Sequence, residues 1–189
     1  MIEKKSEDSQ QFHVYLNKKG EIVDYTDIQF EEKIECNRII KFCCISTVPD
    51  GFILDFNPRN FAICLDTSEL SCYLETKTTT CEVTDPCYGT LKCPVDIQAV
   101  RLVGCSRLLV NYGHITPISG LGSTKCSICC NTTTCVNQVI GFTCDKTLCE
   151  PCFDIFGSAI SFSITTDNCG RQAVVVEFFA FVEFIESDC

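Results

Sequence analysis

Ala159-Ile160-Ser161-Phe162-Ser163-Ile164-Thr165 and Ala173-Val174-Val175-Val176-Glu177-Phe178-Phe179-Ala180-Phe181-Val182-Glu183-Phe184-Ile185 flank the turn signal Asp167-Asn168-Cys169-Gly170. In the first run, Ile160, Phe162 and Ile164 alternate with Ser161, Ser163 and Thr165. A period of two puts the apolar set on one side of a strand and leaves a wet face on the other. In the second run, Val174, Val176, Phe178, Ala180, Val182 and Phe184 share one face. The opposite face also carries Phe179 and Phe181, so this strand is expected to be central or covered. Phe179 and Phe181 are candidates for a subunit interface, because apolar patches of that kind mark contacts.

Working outward, short β-type runs recur from Cys36 onward: Ile39–Ile45, Phe52–Phe56, Phe61–Leu65, Val95–Val103, Leu108–Tyr112 and Gln138–Thr143. Turn signals such as Pro49-Asp50-Gly51, Asn57-Pro58 and Asp85-Pro86 separate them. Ile, Val and Thr number 50 against 11 Leu and five Ala, which favours a pleated surface over helices. The expectation is an all-β chain forming an antiparallel, jelly-roll-like β-sandwich. Residues 1–11 read as a polar tail. Residues 12–35 hold two apolar runs around Asn17-Lys18-Lys19-Gly20, a hairpin that is either an arm or the first two strands. Residues 36–189 form the Cys-rich domain.

All 18 Cys lie in that domain. The net charge of −10, with no basic patch, argues against nucleic acid. No segment is apolar enough for a membrane-spanning helix. Met1–Asp8 has no apolar signal core, so synthesis in a reducing cytosol is expected, where disulfides are rare. Zinc would suit such a cytosol. Cys126-Ser127-Ile128-Cys129 and Cys149-Glu150-Pro151-Cys152 have the spacing of a four-thiolate site. Redox catalysis at Cys149 and Cys152 lacks the expected helix, and neither His13 nor His114 is singled out as a base, so no enzyme and no cofactor are expected. Structural disulfides are the third chemistry. Cys43-Cys44 and Cys129-Cys130 are vicinal, and neighbours on a strand point to opposite faces. One member of each pair can serve the chain and the other a second copy; alternatively both bridge internally. Cys189, the final residue, also suits an intermolecular bond. Thr78-Thr79-Thr80-Cys81 recurs as Thr132-Thr133-Thr134-Cys135, a weak internal repeat.

Cys density without a signal peptide, the vicinal pairs, the Thr-rich Cys-flanked segments and Val100-Arg101-Leu102-Val103-Gly104-Cys105-Ser106-Arg107-Leu108-Leu109-Val110-Asn111 carry a resemblance. The chain resembles the cysteine-rich self-assembling proteins of endospore surfaces: exosporium, crust and spore-appendage subunits. That resemblance implies a jelly roll, made in the mother-cell cytosol and oxidised later at the spore surface. It also implies a homopolymer, with related Cys-rich coat proteins as further partners, whose N-terminal connector bonds a neighbour through cysteines. Residues 1–35 have no Cys, so Cys43, Cys44, Cys129, Cys130 and Cys189 are the candidates for cross-links. The alternatives are a cytosolic zinc module on Cys126, Cys129, Cys149 and Cys152, and a disulfide-rich monomeric binding protein.

Overall fold

The computed structural model describes residues 10–17, 19, 21–23, 37–57, 61–85, 89–119, 126–148 and 150–185. Nine strands lie among them: β1 (Gln10–Asn17), β2 (Ile22–Val23), β3 (Ile39–Thr47), β4 (Phe52–Asp55), β5 (Ala62–Asp85), β6 (Gly89–Pro117), β7 (Cys126–Thr143), β8 (Phe153–Thr166) and β9 (Gln172–Phe184). Their pairings are antiparallel, as the short runs between turn signals predict. One sheet has the order β2-β1-β8-β9-β3. In the other, β6 is the spine, with β4 and then β5 along one side and β7 along the other. The two sheets pack face to face as a sandwich.

The strand that decides the fold sits where its two apolar faces require. β9 pairs with β8 on one side and β3 on the other. Its inward residues Val174, Val176, Phe178, Ala180 and Val182 are buried. They meet Val100, Leu102, Leu108 and Val110 of β6 in one core. The outward face is drier than the alternation of β8 suggests, since Ser161 is also buried. The N-terminal hairpin belongs to the sandwich: β1 pairs with β8 from Gln10↔Ile164 to Asn17↔Gly157. The Asn17 carboxamide oxygen closes its turn, accepting from the Lys19 and Glu21 amides at 2.9 and 3.0 Å. That satisfies two backbone donors that no ladder reaches.

β6 differs from the expected pair of short strands. It runs unbroken for 29 residues through Gly104-Cys105-Ser106-Arg107. Gly104 does not end the strand; at φ +132° it adopts a backbone that L side chains rarely reach. It lies beside the irregularity between Asp66 and Glu69 on β5, where a Cβ would collide with the Glu69 carbonyl. The Ser106 hydroxyl donates to the Asp66 carbonyl there at 2.7 Å, satisfying backbone that the bulge leaves out of the ladder. β5 likewise extends far beyond Phe61–Leu65, through a threonine-rich segment whose polar faces hid its strand character.

Candidate functional site

β3 is an edge strand of one sheet and β7 of the other, and they meet along a seam. An edge carries unpaired backbone groups that invite other chains. Here β7 covers it. Thr134 donates to the Lys41 carbonyl at 3.1 Å, Thr132 to Cys43 at 3.4 Å, and Gln138 to Ile39 at 3.4 Å. Ser46 of β3 donates back to the Cys129 carbonyl at 3.2 Å. The Thr132–Cys135 copy of the repeat is therefore partly a set of edge caps. A disulfide between Cys44 and Cys130 bolts the seam, with Cα atoms 6.3 Å apart.

Strand alternation sorts both vicinal pairs as the sequence suggests. Cys44 and Cys130 face inward and bond each other, while Cys43 and Cys129 are exposed thiols. Cys44 and Cys130 are thus corrected as intermolecular candidates: their inward faces bring their sulfurs together across the sandwich. Cys43 lies opposite Glu177 on an outer surface that also carries the Lys41–Glu177 ion pair, 3.2 Å. Cys189 lies outside the described residues.

Two further disulfides tie the fold. Cys72 of β5 bonds Cys152, just ahead of β8, and Cys105 of β6 bonds Cys135, directly opposite it on β7. The first bears on the four-cysteine alternative. Cys152 is buried and its sulfur is engaged by Cys72. Cys72 is level with Gln138, nine positions along β7 from Cys129, about 30 Å at ~3.3 Å per residue. Cys126 and Cys129 are exposed at the start of β7, and Cys149 lies outside the described residues. The structure does not bring Cys152 to Cys126 and Cys129. Among the described residues, no group of three or more His, Cys, Asp or Glu is placed to hold a metal ion.

Apart from Cys81, the remaining exposed thiols are not singled out by the sequence. Cys64 and Cys81 are on β5 and Cys93 on β6; Cys144 follows β7, and Cys169 is in the β8–β9 turn. The repeated Thr-Thr-Thr-Cys tetrapeptide pointed to one of them, Cys81.

Phe179 and Phe181 do lie on the outer face of β9, but they differ. Phe181 is only 6% exposed and stacks on Phe156 at 5.8 Å, so its own chain already covers it. This corrects Phe181 as a free interface residue. Phe179 is half-buried, with the Lys41 ammonium 5.2 Å from its ring centroid. With His13, Tyr15, Ala159 and Ser161, the two rings line a small cleft of about 120 Å³.

The turn that presents Cys169 is held by one carboxylate. Asp167 accepts from the Cys169 and Arg171 amides, both at 2.9 Å, and from the Arg171 guanidinium at 2.7 and 2.8 Å. Hydrogen bonds from the Arg171 amide and then its side chain hold the Asp167 carboxyl below its ordinary range. A lowered folded-state value means this stabilisation is present above the ordinary carboxyl pKa. It is lost as pH falls through the lowered one. Asp167→Ala should therefore lower the melting temperature at neutral pH. Its effect should shrink at a pH below the lowered value, where only a neutral acceptor is lost, as read from thermal melts across an acid series. Asp167→Asn, which keeps the acceptor for the two amides, should lose less.

A family model, that of the YwhK N-terminal domain, matches residues 13–178, and the chain belongs to this family. No curated protein and no solved structure matches it.

Proposed function

We propose that this member of the YwhK N-terminal domain family is a structural subunit. It self-assembles into a disulfide-cross-linked protective layer or fibre on an endospore. Family membership is compatible with a spore-related protein. The observation that carries the reading is the split of the vicinal pairs. Cys44 and Cys130 secure the fold, and Cys43 and Cys129 stand exposed beside them on the outer faces of the two sheets. Among the described residues three internal disulfides already staple the sandwich, so exposed thiols are left over for partners. In this reading the chain is made in the mother-cell cytosol and oxidised after assembly at the spore surface. Its partners are further copies of itself and related Cys-rich coat proteins. The role is mechanical, without turnover.

Native assemblies boiled in detergent should give a ladder, or material that does not enter a gel. A strong thiol reductant should collapse it to a 21.1 kDa band. Cys43→Ser with Cys129→Ser should shift the unreduced pattern toward monomer. A monomer band in both lanes would overturn the cross-linked polymer. An unchanged ladder in the double variant would remove these two cysteines from it.

A further inference from the structure

β5 and β6 run on beyond the sandwich as a two-stranded ribbon. β7 accompanies β6 only as far as Gln98. Beyond that point, from Thr76 to Asp85 and from Gly89 to Asp96, every described side chain is exposed. Those rungs extend about 30 Å at ~3.3 Å per residue. Two strands alone are marginal in water, so such a ribbon depends on its cross-strand pairs. One face has polar pairs: Thr76 donates to Gln98 at 3.0 Å, Thr78 donates to Asp96 at 2.7 Å, and Lys92 pairs with Glu82 at 3.3 Å. On the other face the register sets Cys81 directly opposite Cys93, beside Val95 and Ile97. Both are exposed thiols.

Opposed Cα atoms in an antiparallel ladder are about 4.5–5.5 Å apart. A disulfide spans about 4.4–6.8 Å between Cα atoms, so the two positions can be bridged without moving the backbone. The same sheet already holds a disulfide between directly opposite residues, Cys105 and Cys135, whose Cα atoms come as close as 3.9 Å. The two cases share a sequence. Cys81 ends Thr78-Thr79-Thr80-Cys81 and Cys135 ends Thr132-Thr133-Thr134-Cys135. Each copy sets its cysteine opposite one of β6, on either side of that strand. One copy is bonded and the other is a dithiol.

We propose that Cys81 and Cys93 are an oxidation site that closes within one chain on reaction with a small-molecule disulfide. The thiolate of one attacks a sulfur of the small disulfide, whose S–S bond breaks. One small thiol leaves with its proton, and a mixed disulfide remains on the protein. The facing thiolate then attacks the protein sulfur and expels the second small thiol. Two protein thiols are oxidised and one small disulfide is reduced to two thiols. The product staples the ribbon between the rungs that the polar pairs hold. The site is independent of the cross-linking reading, because its sulfurs bond within the chain.

The test uses the full chain with Cys87→Ser, because trypsin leaves Cys81 and Cys87 on one peptide, residues 78–92, and Cys93 on another, residues 93–101. Unlabelled and ¹⁵N-labelled chains are mixed, treated with oxidised glutathione, alkylated, digested without reduction and weighed. The expected result is a linked pair of these peptides carrying one isotope, with loss of the alkylatable thiols of Cys81 and Cys93 from them. With Cys93→Ser added, glutathione should remain on Cys81, since nothing expels it. Mixed-isotope links would overturn the proposal. So would stable glutathione on both cysteines, or two thiols that stay alkylatable.

Discussion

Cys44→Ala together with Cys130→Ala should lower the unfolding free energy by about 4 kcal/mol. The bond spans 86 residues of sequence. The effective loop is shorter, because the Cys72–Cys152 bond offers a covalent path of about 50 residues between the same ends. Chain-entropy arithmetic gives about 4 kcal/mol for a loop of that length. For a chain this size that is a fall of roughly 8–16 °C in melting temperature. Replacing both cysteines matters, since a single change would leave a new thiol. The loss should also be local. Without the bolt, the seam keeps the core packing of Ile40 and Phe42 and the hydrogen bonds made by the Thr132, Thr134, Gln138 and Ser46 side chains. Each such bond is worth only about 1 kcal/mol net. Hydrogen exchange at residues 39–47 should speed up more than at the central residues of β8 and β9. An unchanged melting temperature would mean that the seam is held by packing and not by the bond.

The same seam shows what a single sequence can and cannot disclose. Alternation along a strand is a local property, so a split of Cys43-Cys44 and Cys129-Cys130 between opposite faces could be expected from spacing alone. Their partners could not. That Cys44 meets Cys130 depends on β3 and β7 being the edges that come together, a relation between residues far apart in sequence. The strands with an apolar period, β8 and β9, were legible for the same local reason. The ribbon was not. Its threonines carry β propensity but no contrast between faces, so the pattern that reveals half-buried strands is missing. Gly104 misled in another way. Glycine marks turns and bulges alike, and only the register of β5 against β6 shows that this one serves a bulge. The four-cysteine zinc spacing was real as a pattern, yet β7 carries Cys129 away from the level of Cys72 and Cys152.

Phe162→Ala should cost about 3–5 kcal/mol, the usual range for truncating a fully buried aromatic ring. Phe162 is fully buried on the inward face of β8, the strand between β1 and β9. Its ring meets three others: Phe56 edge-on at 5.2 Å, Phe61 at 5.6 Å and Tyr112 at 6.3 Å. All three come from the opposite sheet or its connections, so this one side chain ties the two layers together. Truncation leaves a void that β-sheet backbones cannot close without breaking ladder bonds on both sides of β8. Phe162→Leu keeps most of the volume and should lose less, which separates the cavity from the lost ring contacts. Phe142, 39% exposed on β7, is the matched control, and its alanine variant should change stability far less. Urea unfolding with an unchanged slope would attribute the loss to the folded state. If Phe162→Ala cost no more than Phe142→Ala, the two sheets would not be joined through this ring cluster, and their cohesion would rest on the remaining core contacts and the disulfides.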